Sequence, residues 1–155
     1  MCIIIDINCL SNVFDAESQK HKDFKPILDW ILNRNGKIVC GGTKYREELK
    51  KVQKYNKLLI NLTSSGKVVW IEDKKVDQEQ KKVQDKLSHR NFDDPHIVAI
   101  IIVSKCKLLC SNDNKSFEFI KNHIFYPKGV NKPLIYTRQK NEDLLCDSNI
   151  SNCCK

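Results

Sequence analysis

Short apolar runs alternate with longer amphipathic segments along residues 1–136. Five runs rich in β-branched and other apolar residues predict buried strands. They cover residues 2–5, 37–40, 67–71, 107–111 and 133–136. Strands that are separated by helices of ten or more residues are typical of βαβ units. The pattern therefore predicts an α/β fold with a parallel sheet that helices cover on both faces.

Four of the intervening segments carry apolar residues at helical spacing. These predicted helices cover residues 23–35, 43–62, 73–90 and 113–122. The first helix is expected to bury one stripe, which consists of Phe24, Ile27, Leu28, Ile31 and Leu32. Segment 95–105 is ambiguous, because its β-branched residues favour a strand, whereas Asp94 and Pro95 favour the start of a helix.

The composition is that of a folded protein, with 41% hydrophobic and 30% charged residues. No apolar run is long enough to cross a bilayer, and no signal-peptide pattern precedes the first predicted strand. We therefore expect a cytoplasmic protein with one domain over residues 1–136. The remaining residues, 137–155, are expected to form a polar C-terminal tail that can be disordered.

The eight cysteines do not follow the pattern of a disulfide scaffold or a zinc site. Only Cys106 and Cys110 have a loosely ligand-like spacing, and no His lies near either of them in the sequence. The other thiols of interest, Cys146, Cys153 and Cys154, lie in the polar tail. We expect these three to be exposed and reduced.

The formal net charge of +8 is concentrated in the middle of the chain. Residues 37–90 contain 14 Lys and Arg against 7 Asp and Glu, which is a net charge of +7. A solvated helix face in a lysine-rich protein is one explanation of this excess. A surface that binds a polyanion is the other.

Three aspartates stand where parallel sheets bind ligands, beyond the carboxyl ends of the strands. Asp6 directly follows the first predicted strand, Asp113 follows the fourth, and Asp94 precedes the apolar segment 95–105. Each could alternatively form a turn or cap a helix. Together they predict a cluster of carboxylates in one crevice.

A fourth carboxylate comes from the motif YREEL, at residues 45–49. At about 100° per residue, Glu48 lies near the apolar face of the predicted helix, and Glu47 points to the opposite side. Four carboxylates in one crevice repel one another unless a cation lies among them. Because hard oxygen ligands select Mg²⁺ or Mn²⁺, the sequence predicts a divalent metal site.

The chain resembles the PIN-domain nucleases in four acidic motifs, which are IIIDIN, YREEL, DDPHIVA and LLCSNDNKSF. Their order, spacing and hydrophobic context match over about residues 1–125. The resemblance implies a three-layer α/β/α sandwich and a metal-dependent endoribonuclease that hydrolyses RNA phosphodiester bonds. Such a protein could be the toxin of a toxin–antitoxin pair or a defence nuclease.

Carried over residue by residue, the resemblance implies a metal and catalytic site formed by Asp6, Glu48, Asp94 and Asp113. Asn8 and Ser111 would support it, and Asp93 is the alternative to its neighbour Asp94. The implied cofactor is Mg²⁺ or Mn²⁺, and the implied partner is RNA. The resemblance also allows two further partners, an antitoxin protein and a second copy of the chain. No interaction with a membrane is expected. The expected phosphate contacts are Lys44, Arg46, Lys81, Lys82, Lys86 and Arg90.

Two other functions remain open from the sequence. A non-catalytic PIN-like module could bind RNA or regulate another protein. A phosphotransfer domain with a nucleophilic Asp would need a Lys after a later strand, for which Lys107 and Lys115 are the candidates.

Overall fold

The computed structural model describes residues 2–146, 149 and 152–154 and contains one parallel β-sheet. Its strands are β1 (Cys2–Ile5), β2 (Lys37–Gly41), β3 (Val68–Ile71), β4 (Leu108–Cys110) and β5 (Leu134–Tyr136). Their order in the sheet is β3-β2-β1-β4-β5. The predicted α/β fold with a central parallel sheet is confirmed.

Within the residues that the structure describes, seven α-helices connect the strands. They are α1 (Leu10–Phe14), α2 (His21–Asn33), α3 (Thr43–Lys51), α4 (Gln53–Ser64), α5 (Asp73–Lys86), α6 (Pro95–Ser104) and α7 (Asn114–Ile120). The chain runs from β1 outward to β3 and then returns to β4 on the other side of β1. Because βαβ crossovers are right-handed, α1–α4 cover one face of the sheet and α5–α7 cover the other. The architecture is a three-layer α/β/α sandwich.

The reversal of the chain path creates a crevice between β1 and β4. These strands pair directly, with Ile5 opposite Cys110. The carboxyl ends of both strands meet at this point of the sheet, which is where doubly wound α/β proteins bind ligands. Asp6 and Ser111 are the first residues beyond the two strands and therefore lie at this crevice.

The ambiguous segment 95–105 forms a helix. Helix α6 begins at Pro95, which has no backbone N–H to leave unsatisfied in the first turn. Its side chains are buried almost all round, since α6 contacts both α5 and the strands β1–β3. Burial on all sides explains a run of β-branched residues that lacks a polar face.

Two details of the predicted helices are wrong. The single helix over 43–62 is broken at Val52, where φ is −115° and ψ is 67°, and this break lets α4 turn onto β3. In α2, Leu32 is 49% exposed, whereas Trp30 is buried and takes its place in the core. The ring of Trp30 packs so closely on Gly36 that a Cβ atom there would lie 2.6 Å from it.

The described part of segment 137–155 packs on the domain. A 3₁₀ segment, Gln139–Leu144, contacts α2, and Leu145 is 3% exposed. Cys154 is only 5% exposed, so the expected exposure of this thiol is wrong. Among the described residues, no helix combines the length and apolar content needed to cross a membrane.

Candidate functional site

A cleft of about 400 Å³ opens at the carboxyl edge of the sheet beside β1. Its lining combines acidic, basic and amide side chains with two apolar ones. The lining residues are Asp6, Ile7, Asn8, Lys44, Glu48, Lys51, Val52, Asp93 and Asp94. Three of the four predicted carboxylates therefore face one space, and Asp113 stands next to it through Ser116.

Asp6 is held rigidly at the end of β1. Its backbone N–H donates to the carbonyl of Cys110 on the neighbouring strand, at 2.9 Å. Its Oδ1 accepts from the N–H of Asn8 at 3.1 Å, and its Oδ2 accepts from the hydroxyl of Ser111 at 2.9 Å. The side chain is 6% exposed, and burial raises its pKa despite these two hydrogen bonds. The predicted supporting residues, Asn8 and Ser111, both contact this carboxylate.

Glu48 reaches the cleft from helix α3. The buried hydroxyl of Tyr45 donates to the carbonyl of Ile5 at 2.8 Å and so attaches α3 to the end of β1. One turn later, Glu48 lines the cleft while Glu47 is exposed on another side of the helix, as the helical geometry predicts. The contact with His96 lowers the pKa of Glu48, and Lys44 lowers it further.

His96 is a member of the site that the sequence reasoning did not identify. It lies in the first turn of α6 and is 2% exposed. Its Nε2 lies 3.4 Å from Oε2 of Glu48, whereas its buried Nδ1 has no hydrogen-bond partner within the described part of the chain. A proton on Nε2 is therefore the favourable arrangement, since only that nitrogen has an acceptor. The sequence feature that could have identified His96 is its position two residues after Asp94 in the motif DDPHIVA.

Asp94 occupies the position of an N-cap for α6 but does not act as one. Among the described residues, no N–H group of α6 donates to its side chain. Its Oδ2 instead accepts from the hydroxyl of Ser116 at 2.8 Å, on helix α7. Burial raises the pKa of Asp94, with nearby Asp6 and Asp113 adding to the shift. Its neighbour Asp93 also lines the cleft but is exposed to solvent.

Ser116 joins two carboxylates through one hydroxyl. Its Oγ lies 2.8 Å from Oδ2 of Asp94 and 2.7 Å from Oδ2 of Asp113, and the residue is fully buried. A hydroxyl has a single proton to donate, so it can form a full hydrogen bond with only one of the two. Asp113 also caps α7, where its Oδ1 accepts from the N–H of Lys115 at 3.1 Å.

The carboxylates surround the cleft without closing on one point. Within the described ranges, no three acidic side chains bring their oxygen atoms within 4.8 Å of one another, whereas the thiols of Cys2, Cys153 and Cys154 do meet that criterion. The cleft thus has the donor chemistry for a hard cation, with oxygens set further apart than in a closed coordination shell.

Two lysines supply the positive charge at the cleft. Lys44 Nζ lies 3.5 Å from Oε1 of Glu48, and Lys51 lines the same space near the end of α3. The predicted contact Lys44 is therefore at the site, and Lys51 is an addition that the sequence reasoning did not single out. Arg46 faces elsewhere, because its guanidinium bonds Asp73 at 2.6 Å and covers the ring of Trp70.

The predicted phosphate contacts on and beyond α5 lie on an exposed surface. Lys82 pairs with Glu79 at 2.9 Å, and Lys86 donates to the carbonyl of Ile124 at 3.1 Å. Lys81 and Arg90 are exposed to solvent.

The lysines considered for phosphotransfer chemistry do not face the cleft. Lys107 directly precedes β4 and so lies at the opposite edge of the sheet from Asp6, and Lys115 is exposed at the start of α7.

Comparisons with protein-family models, with curated proteins and with solved structures find no match to this chain.

Proposed function

We propose that the protein is a metal-dependent endoribonuclease whose active site is the acidic cleft. The observation that carries the proposal is the convergence of Asp6, Glu48 and Asp94 on one space at the switch point of the sheet. Burial raises the pKa of two of them, which is typical of sites that neutralise their charge by binding a cation.

The donor set fits Mg²⁺ or Mn²⁺ better than any softer metal. All candidate ligands are carboxylate oxygens, and the single hydroxyl of Ser116 can donate to only one of Asp94 and Asp113, which leaves the other carboxylate without that hydrogen bond. Asp6 receives its hydrogen bonds from neutral donors, so neither bond cancels its charge. A divalent ion in such a site supplies charge neutralisation and a more acidic bound water.

The residues of the chain have distinct tasks under this proposal. Asp6, Glu48 and Asp94 would bind the metal, and Asp113 holds Ser116 in place against Asp94. His96 positions the carboxylate of Glu48. Lys44 and Lys51 attract the phosphate backbone of the RNA to the mouth of the cleft.

The test is an RNA cleavage assay on the purified protein in Mn²⁺, in Mg²⁺ and in chelator. Cleavage that requires the metal and is lost in Asp6→Asn supports the proposal. RNA binding without cleavage in either metal would instead favour a non-catalytic RNA-binding module. If the protein neither binds nor cleaves any of a set of structured and single-stranded RNAs, an RNA-directed function is refuted.

A further inference from the structure

Three thiols meet at the amino edge of the sheet, at the opposite end of β1 from Asp6. Cys2 is the first residue of β1, while Cys153 and Cys154 belong to the short 3₁₀ segment Asn152–Cys154. The three sulfur atoms lie within 4.8 Å of one another, and those of Cys153 and Cys154 are 3.4 Å apart. The fold thus brings together thiols from distant parts of the sequence.

A fourth thiol borders this cluster. Cys106 precedes β4, the strand that pairs with β1, and is 1% exposed. Its Sγ lies 3.3 Å from the carbonyl oxygen of Cys2 and 3.5 Å from that of Leu108, and its single proton can be donated to either. The thiol of Cys106 also interacts with the side chain of Cys2, so it lies beside the cluster.

Ordinary core packing does not account for this arrangement. A buried cysteine commonly packs as a small apolar residue, which explains the position of Cys2 in a strand. It does not explain why the polar segment that follows residue 136 directs two sulfur atoms at that position. Cys2 and Cys154 are buried, while Cys153 is partly exposed, so the cluster has an opening to solvent.

We propose that Cys2, Cys153 and Cys154 bind a Zn²⁺ ion, with Cys106 placed to supply a fourth ligand. In a tetrahedral zinc site with Zn–S bonds of about 2.3 Å, the sulfur atoms are about 3.8 Å apart. The Cys153–Cys154 separation of 3.4 Å is close to that distance, and the separations of both sulfur atoms from that of Cys2 are no more than 4.8 Å. Soft thiolates select Zn²⁺ over the hard ions that suit carboxylates.

Such a site would fasten segment 152–154 to the first strand of the sheet. It lies about 13 Å from the acidic cleft, as the length of β1 requires. The proposed zinc ligands share no residue with the cleft. The zinc site can therefore be tested independently of the proposed nuclease function. The expected role is structural, because metal binding to thiols of a folded chain adds directly to its stability.

The test measures Zn²⁺ and Co²⁺ binding by the full chain after reduction and removal of metal. One Zn²⁺ per chain should remain after dialysis, and Co²⁺ should give the charge-transfer absorption of thiolate ligands. The double variant Cys153→Ser/Cys154→Ser should lose both signals and the rise in melting temperature that Zn²⁺ gives the wild type. Cys2 is left intact, because a substitution within β1 could prevent folding.

The matched control is Cys146→Ser, which removes a thiol from the same segment but outside the cluster. It should keep the bound Zn²⁺, the Co²⁺ absorption and the thermal shift. The proposal is overturned if the wild type binds no Zn²⁺, if the double variant binds it equally well, or if intact mass shows that the cluster thiols are instead joined as a disulfide. The response of melting temperature to Mn²⁺ should be the same in both variants, since that response belongs to the cleft.

Discussion

The carboxylates around the cleft differ in what holds them. Asp6 is buried and receives hydrogen bonds only from neutral donors, Glu48 is partly exposed beside His96 and Lys44, and Asp113 caps a helix. A buried charge without a cationic partner destabilises the folded state. Asp6 therefore carries an electrostatic penalty when no metal is bound.

The variant Asp6→Asn should raise the melting temperature of the metal-free protein at neutral pH. The raised pKa of Asp6 leaves it neutral in both the folded and unfolded states at low pH, so its penalty appears only as the pH rises above the ordinary value near 4. The advantage of the variant should be small below about pH 4 and grow toward pH 7. Thermal melts in chelator measure this advantage as a shift of the melting temperature, which is about 2–4 °C for each kcal/mol of stability.

Asp15→Asn is the control, because its effect on the stability of the protein should have the opposite sign to that of Asp6→Asn. The ion pair with Lys54 lowers the pKa of Asp15, so its contribution to stability is present at neutral pH and is lost as the pH falls through that lowered pKa. Asp15→Asn should be slightly less stable than wild type at pH 7 and equal to it in acid. A pH-independent difference for Asp6→Asn would show that burial of its charge is not the cause.

Glu48 and Glu47 provide a paired test of the site on helix α3. Glu48→Gln should lower the rate of metal-dependent RNA cleavage by about 100-fold or more, because it removes a charge from the cleft. Glu47→Gln should change the rate only a few-fold, since Glu47 is exposed on another side of α3. Equal losses in single-turnover assays would contradict the assignment of Glu48 as the ligand.

Helix α3 begins where the backbone of Gly42 and Thr43 is held by two aspartates of α5. The N–H of Gly42 donates to Asp73 at 2.9 Å, and the N–H and hydroxyl of Thr43 donate to Asp77. This start sets the phase of α3, and hence the direction of Glu48. The sequence predicts the helix start from Gly41-Gly42-Thr43, but it gives no sign that α5 supplies the cap.

Gly42→Ala should therefore destabilise the protein more than Gly66→Ala. Both glycines have positive φ, at +88° and +69°, where a side chain is strained, and the ψ of 144° at Gly42 places it near a region that is essentially restricted to glycine. A Cβ at position 42 would also lie 2.6 Å from Cγ1 of Val76, whereas nothing lies within 4 Å of one at position 66. Free energies of unfolding from denaturant titration measure both, and equal losses would show that α3 tolerates a shift of its first turn.

Helix α5 offers a test of the basic surface. If its exposed lysines contact phosphates, the variant with Glu at Lys81, Lys82 and Lys86 should weaken RNA binding for all sequences. The slope of log affinity against log salt should then flatten by about 0.7 for each phosphate that the variant no longer neutralises. The control makes the same charge change near the amino ends of the strands, at Lys37, Lys67 and Lys105. Equal effects of the two triple variants would mean that net charge alone attracts RNA.

The sequence predicts those parts of the molecule that depend on local pattern. Segment 95–105 stays ambiguous on propensity alone, whereas the strand positions and the inward face of α3 follow from periodicity. The break at Val52 does not, because it is set by the packing of α4 on β3. His96 and Ser116 were missed for the same reason, since each acts through a contact between elements that are far apart in the chain.

The whole molecule presents different donors at the two edges of one sheet. Carboxylate oxygens surround the carboxyl edge at β1 and β4, and thiols gather at the amino edge of the same strands. The parallel sheet explains the first cluster from sequence alone, because its strand ends meet at one edge. The second cluster depends on how segment 152–154 packs, and no periodic pattern in that segment predicts its position.

The proposed catalytic role of the cleft is tested most directly by the Mn²⁺-dependent cleavage rate of Asp94→Asn against Asp93→Asn. These adjacent variants make the same change of charge, yet Asp94 bonds Ser116 inside the site and Asp93 is exposed at its rim. Asp94→Asn should abolish cleavage of RNA while the protein remains folded, and Asp93→Asn should stay within a few-fold of wild type. Normal cleavage by Asp94→Asn would contradict a metal-dependent active site in this cleft.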